Sequence, residues 1–164
     1  MDVLPILKWP DERLHLPSED VTVFDTALKD FGDQMFKTVK TNNGIGLAAP
    51  QVNVQKNIIA IWVEEQQPLI LINPKIIESS TDTTKFNEGC LSVPGFYENR
   101  LRPTKVTIEF KDVDGKECKL EFTGLTAFCI QHEIDHLKGK LFIDDFSDLK
   151  KSIVKKKIKK TLGK

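Results

Sequence analysis

The stretch Gln131-His132-Glu133-Ile134-Asp135-His136 constrains this chain more than any other. It holds two of the three histidines in the sequence, with a glutamate directly after the first. On an α-helix, residues four apart share a face, so His132 and His136 can hold one metal ion together. Glu133 is then placed to take a proton from water polarised by that ion. The flanks predict a helix that starts at Thr123-Gly124 and stops at Gly139. Between them, Leu125, Ala127, Phe128, Cys129, Ile130, Ile134 and Leu137 leave little polar surface, so this helix is expected inside the fold. An ordinary amphipathic helix could carry the same histidines on its surface or in a core. Buried without partners they would be costly, and a metal with its water supplies the partners.

A catalytic site of this kind takes three protein ligands and keeps one position open. The common downstream ligands are missing: position 142 is Phe142, and residues 137–164 contain no Glu and no His. Asp144, Asp145 and Asp148 are the acidic candidates on that side, and an upstream cysteine is the other source. Cys90 lies in Glu88-Gly89-Cys90-Leu91-Ser92-Val93-Pro94-Gly95, a segment that interrupts the strand pattern. Gly89 relaxes the backbone before the cysteine, and Val93-Pro94-Gly95 turns the chain after it. A purely structural cysteine needs no such setting, which makes Cys90 the leading candidate. Cys129, three residues before His132, reads as packing near the pocket, and Cys118 reads as core.

At 164 residues the chain predicts one domain with a sizeable core. Its 40% hydrophobic and 29% charged residues are ordinary for a globular protein, and no apolar run approaches membrane-spanning length. Met1-Asp2-Val3-Leu4-Pro5 is neither a signal nor a transit peptide, so a cytoplasmic or already mature chain is expected. Three widely spaced cysteines make no disulfide framework and fit a reducing compartment. The formal charge is zero but unevenly spread. Residues 148–164 hold eight lysines and one aspartate, +7, which leaves 16 basic and 23 acidic residues, −7, in the first 147.

A short helical piece is expected around Asp11 to Leu14, with His15 a plain surface or packing residue. Asp25 opens a helix with apolar Leu28, Phe31, Met35 and Val39, weakened at Gly32 and ended by Asn42-Asn43-Gly44. In Gly44-Ile45-Gly46-Leu47-Ala48-Ala49-Pro50-Gln51-Val52, small residues let backbone approach a ligand or another strand, and Gln51 offers an amide at its end. Ile58 to Val63 and Leu69 to Ile72, joined by residues 64–68, read as paired strands, with a third extended segment over Lys75 to Thr84. Val106, Ile108 and Phe110 alternate, as do Cys118, Leu120 and Phe122, across an Asp114-Gly115 hairpin turn. At the end of the chain, Leu149, Ile153, Ile158 and Leu162, with Val154 beside them, make a narrow apolar stripe on a lysine helix.

Three of these segments, in this order, resemble the peptide deformylases: Gly44 to Gln51, Glu88 to Ser92, and Gln131 to His136. Residues Ile6 to Leu14 look like the N-terminal arm of that family, and the likeness covers almost the whole chain. It implies an α+β fold, with antiparallel sheets packed around a central helix bearing His-Glu-x-x-His, plus an N-terminal and a C-terminal helix. It implies removal of the formyl group from the N-terminal formylmethionine of new polypeptides, releasing formate. By motif match, Cys90, His132 and His136 are the metal ligands, and Glu133 is the general base and later the proton donor. Gln51 and the backbone N–H of Leu91 stabilise the oxyanion. Gly44, Ile45 and Gly46 bind the substrate backbone like an added strand, beside Glu88 and Gly89. Leu125 and Phe128, with Ile45 and Phe86, are candidates for the wall around the methionine side chain. Some family members carry an arginine where this chain has Tyr97, which bears on peptide preference and not on the chemistry. The resemblance implies one divalent metal, Fe(II) foremost, with Zn(II), Ni(II) or Co(II) able to substitute, the thiolate lending softness to the site.

Two rival readings stand beside this one. A zinc endopeptidase would use His132, His136 and one of Asp144, Asp145 or Asp148. A catalytically silent binding module would share the fold alone, and the intact Gln51, Cys90 and Glu133 argue against it. The expected partners are formylmethionyl nascent peptides. A contact between the lysine helix and ribosomal RNA is the functional reading of that helix, and a solvated, packed helix is the other. A monomer with no membrane association is expected.

Overall fold

The computed structural model describes residues 2–64 and 66–163. Met1, Glu65 in the connection over residues 64–68, and Lys164 in the lysine tail lie outside the described residues.

The apolar run after Asn57 becomes the middle of the molecule. Strand β1 (Gly46–Ala48), β2 (Ile58–Ile61), β3 (Leu69–Ser79), β6 (Lys105–Lys111) and β7 (Glu117–Thr123) form one antiparallel sheet in the order β1-β2-β3-β6-β7. Side chains alternate across a strand, so Ile59 and Ile61 enter one core while Ile58 and Ala60 enter another. Helix α1 (Thr26–Thr41) covers the second face with Leu28, Met35 and Val39. Helix α2 (Gly124–Leu137) covers the first with Ala127, Ile130, Ile134 and Leu137. All four residues of β2 are buried, which is why that strand reads as continuous and not as alternating.

Helix α1 begins where its cap dictates: the Asp25 carboxylate accepts from the Leu28 N–H at 3.0 Å. Gly32, a weak helix former, is explained by packing. A Cβ there would stand 3.2 Å from Ile70 Cδ1 of β3, so the glycine lets helix and sheet close up. The helix ends at Asn42, followed by Asn43 with φ 56°. The short helical piece near Asp11 is a single 3-10 turn, Glu12–His15, capped by the Asp11 side chain.

Strands β4 (Thr83–Cys90) and β5 (Val93–Pro103) form a separate two-stranded sheet. This corrects the reading of 88–95 as an interruption: the strand runs through to Cys90, turns over Leu91 and Ser92, and resumes at Val93. Likewise the extended segment over 75–84 is two strands, β3 ending at Ser79 and β4 starting at Thr83. The sequence concealed both because β4 has a single fully buried residue, Glu88, and shows no apolar alternation.

Helix α3 (Asp148–Leu162) is capped by Ser147, whose Oγ accepts from the Lys150 N–H at 3.1 Å. Its buried seam is Val154 and Ile158, one turn apart, set into a third cluster with Trp9, Val93, Phe96 and Phe142. The stripe read from the sequence is therefore narrower than expected: Leu149, Ile153 and Leu162 are exposed. At the hairpin, Cys118 and Phe122 are only partly covered and Leu120 is 48% exposed, because β7 is an edge strand. Among the described residues, no helix is long and apolar enough to cross a membrane.

Candidate metal centre

Helix α2 buries its polar groups along with its apolar ones. His132, Glu133 and His136 are at most 7% exposed. Spaced one turn apart, the two imidazole rings stand edge to face with centroids 5.0 Å apart. Cys90, the last residue of β4, faces them, and its Sγ lies 3.2 Å from His136 Nε2. One ligand atom from each of Cys90, His132 and His136 falls within 4.8 Å of the other two. The local backbone explains the placement of Cys90. The pairing slips between Gly89 and Cys90, and the ring of Tyr97, the cross-strand partner of Gly89, occupies the space a side chain at Gly89 would need.

A network with no signature in the residue spacing sets the histidine geometry. His132 Nδ1 lies 2.8 Å from Glu88 Oε1. Arg102 grips the same carboxylate with two bonds, Nε to Oε2 at 2.6 Å and Nη2 to Oε1 at 2.9 Å. Its Nη1 donates to Asp135 Oδ2 at 2.9 Å. Burial pushes the Glu88 carboxyl up, but hydrogen bonds from His132 and Arg102 outweigh it and hold the group at about 2. A permanent carboxylate on Nδ1 fixes the tautomer of His132 and turns Nε2 toward Cys90, as second partners of metal-binding histidines do. Arg102 sits on the other strand of the hairpin, 14 residues from Glu88 and 33 from Asp135, so no spacing in the sequence points to it.

The donor set fits a metal. A thiol and two imidazoles suit a tetrahedral ion with one open position. Two buried polar atoms beside them lack a hydrogen-bond partner among the described residues, Glu133 Oε1 and His136 Nδ1. Burial raises the Glu133 carboxyl to about 7, against the pull of His132. A cation at the ligand point would draw that value down and leave a carboxylate ready to accept a proton. Burial raises the Cys129 thiol well above its usual range, which keeps it protonated, and the side chain both packs in the first core and lines the cavity beside the metal-capable group. Gly46 lies directly over this corner: a Cβ there would stand 2.5 Å from Cys129 Sγ and 2.8 Å from Glu133 Oε2.

Gln51 is 1% exposed and fully oriented. Its Oε1 accepts from the Ala48 N–H at 2.9 Å. That leaves the amide nitrogen to donate to Ser92 Oγ at 3.1 Å and toward Cys90 Sγ at 3.5 Å. A cavity of about 520 Å³ opens beside the ligands. Gly44, Ile45, Gly46, Glu88, Gly89, Leu91 and Tyr97 all line it, together with Glu133 and His132. Two residues expected in its wall are elsewhere. Leu125 is 39% exposed in the first turn of α2, away from the cavity. Phe128 stacks on Phe86 at 4.8 Å between centroids, and Phe86 is the ring that lines the cavity.

A sequence model of polypeptide deformylases matches residues 3–152. The chain belongs to the polypeptide deformylase family. Peptide deformylase 1 of Pseudomonas syringae pv. tomato is 46% identical over 162 residues, 98% of this chain and 96% of the relative. The peptide deformylase of Teredinibacter turnerae is 48% identical over the same shares. The crystal structure of a peptide deformylase from Legionella pneumophila superposes with a TM-score of 0.91 at 40% identity, covering 98% of this chain and 95% of that one. The peptide deformylase from Ehrlichia chaffeensis in complex with actinonin superposes with a TM-score of 0.93 at 41% identity, covering 98% of each chain.

The mixed α+β architecture is thus that of the deformylases. The aspartates of the rival peptidase reading are occupied otherwise. Asp144 lies 2.9 Å from His15 Nε2 through one oxygen and accepts the Leu141 N–H with the other. Asp145 pairs with Arg100 at 3.5 Å, and Asp148 is exposed at the start of α3. Among the described residues, none of the three belongs to the metal-capable group.

Proposed function

We propose that this deformylase hydrolyses the formyl amide of N-terminal formylmethionine on newly made polypeptides, releasing formate and a free α-amine. The observation that carries the reading is the convergence of Cys90, His132 and His136 within 4.8 Å, beside a buried Glu133 oxygen that has no hydrogen-bond partner among the described residues. A divalent ion held by these three residues, Fe(II) foremost and Zn(II), Ni(II) or Co(II) in its place, would polarise the formyl carbonyl and acidify water.

The chain's own groups do the rest. Glu133 accepts a proton from the attacking water as the new C–O bond forms, then delivers it to the departing amine nitrogen as the C–N bond breaks. Gln51 Nε2 and the Leu91 backbone N–H donate to the developing oxyanion, and the bond from Ala48 holds the Gln51 amide in the donating orientation. Strand β1 is the free edge of its sheet, so a peptide can add beside Gly44, Ile45 and Gly46 in extended form. Ile45 and Phe86 wall the methionine side chain. Glu88 serves through His132 and not by touching substrate. We read residues 1–164 as one catalytic domain, acting as a cytoplasmic monomer, with the lysines of α3 available for a ribosome contact.

The test sets formyl-Met-Ala-Ser beside an internally quenched, unformylated peptide. Turnover of the first alone is expected, and hydrolysis of the second alone would replace the deformylase reading with the peptidase one.

A further inference from the structure

Among the residues lining the cavity beside the ligands, Lys8 is the one lysine or arginine. Its ammonium has no hydrogen-bond or ion-pair partner among the described residues. The two acidic side chains of the cavity do not serve it: Glu88 is committed to Arg102 and His132, and Glu133 is buried beside Gly46. The position of Lys8 is nonetheless fixed. The Leu7 N–H donates to the Gln51 carbonyl at 2.7 Å, and the Trp9 N–H donates to the Ser92 carbonyl at 2.8 Å. The backbone on both sides is therefore pinned to the segments that carry Gln51 and Cys90. Trp9, 7% exposed, locks the next side chain into the third cluster.

A half-buried ammonium held at a ligand cavity without a hydrogen-bond or ion-pair partner has lost hydration that no direct contact replaces. Burial lowers its pKa, and the Cys90 sulfur pulls it back up, which puts the charge within the field of the metal centre. An anion entering the cavity would supply the missing partner. A compact ammonium on a flexible stem suits a single carboxylate whose position varies with the ligand.

We propose that Lys8 is a specificity-determining residue that binds a carboxylate carried by the ligand. The inference rests on the deformylase reading for its ligands, which offer two carriers. One is an acidic side chain on a residue following formylmethionine, and the other is the formate product. Either would be met by a charge-assisted hydrogen bond. A bond to a backbone carbonyl would instead treat acidic and neutral peptides alike.

The experiment measures kcat and KM for formyl-Met-Asp-Ala and formyl-Met-Ala-Asp against their Asn counterparts, all as C-terminal amides so that the Asp side chain is the one carboxylate, in the wild type and in Lys8→Met, Lys8→Arg and Lys8→Glu. Wild type should favour an Asp peptide by about fivefold to tenfold, mainly through KM, as expected for one partly exposed charged bond. The preference should vanish in Lys8→Met, persist in Lys8→Arg and invert in Lys8→Glu. Turnover of formyl-Met-Ala-Ser amide, which carries no carboxylate, should stay near wild type in Lys8→Met and Lys8→Arg. A Lys8→Met change confined to weaker inhibition by formate would assign the carboxylate to the product. Calorimetry of Met-Ala-Asp amide, Met-Ala-Asn amide and formate on wild type and Lys8→Met reads the same contact without turnover. Unchanged Asp-to-Asn ratios together with unchanged formate binding in Lys8→Met overturn the proposal. A wild type that turns over no formyl peptide strikes the deformylase reading instead, and formate calorimetry still decides Lys8.

Discussion

Helices α2 and α3 are nearly equal in length and opposite in construction. Eleven of the 14 residues of α2 are buried, and its histidines and glutamate are buried with them. Only two of the 15 residues of α3 are buried, and its charge faces outward. A polar group inside an apolar helix must be matched by a partner, so its presence identifies a site. A cation on an exposed helix needs no partner, so even a dense run of them says little. Several lysines of α3 are also not simply solvated. Lys150 pairs with Glu98 at 2.5 Å and stands over the Phe146 ring, while Lys155 and Lys157 lie 5.5 Å from the rings of Trp9 and Phe96. Part of the charge therefore serves packing.

The contrast is broken most completely at Cys90. Cys90→Ala should lose stoichiometric metal, while Asp144→Ala, Asp145→Ala and Asp148→Ala keep it, as elemental analysis of the purified variants will show. Full occupancy in Cys90→Ala would remove the cysteine from the site. Next in size, Glu133→Gln should retain metal and lose activity by ~10²–10⁴-fold, because an amide cannot accept the proton of water. Near-normal turnover would place the base elsewhere.

On α3 the effects are smaller and of another kind. Ile158→Ala should cost about 2–4 kcal/mol in denaturant unfolding, whereas the half-exposed Ile153 tolerates the same change within ~0.5 kcal/mol. Equal losses would restore the wider stripe read from the sequence. The smallest effect on turnover is expected for the joint change of Lys156, Lys159 and Lys160 to Gln. Formyl-peptide hydrolysis should be unchanged, while ribosome co-sedimentation at low salt should fall, and should fall with added salt in the wild type. This substitution is cleaner than deleting residues 148–164, which would also strip Val154 and Ile158 from the third cluster. Identical sedimentation of the two proteins at low salt would end the ribosome reading.

The same contrast explains what could be read in advance. The Asp25 cap, the Asp114-Gly115 hairpin and the buried α2 are local patterns, and each recurs in the structure. The mixed helix and antiparallel sheet class is what the resemblance to the deformylases implies, and the structure has it. Cys90, His132 and His136 were legible because their motifs are short and chemically unusual. The Glu88–Arg102–Asp135 network was not, because it joins strands and a helix through register and long separation. Leu125 is not among the residues that line the cavity, and its place on an apolar helix says nothing about which turn the cavity reaches.

The two sheets share no paired strand. One member of the metal-capable group, Cys90, belongs to the small sheet, and the other two belong to the helix lying on the large one. The ligand triangle is thus an alignment gauge between two bodies. A tilt of the hairpin that left each body intact would still pull the sulfur off its vertex. Arg102, reaching from the hairpin to Asp135 on the helix, is the strut that sets the tolerance of that joint.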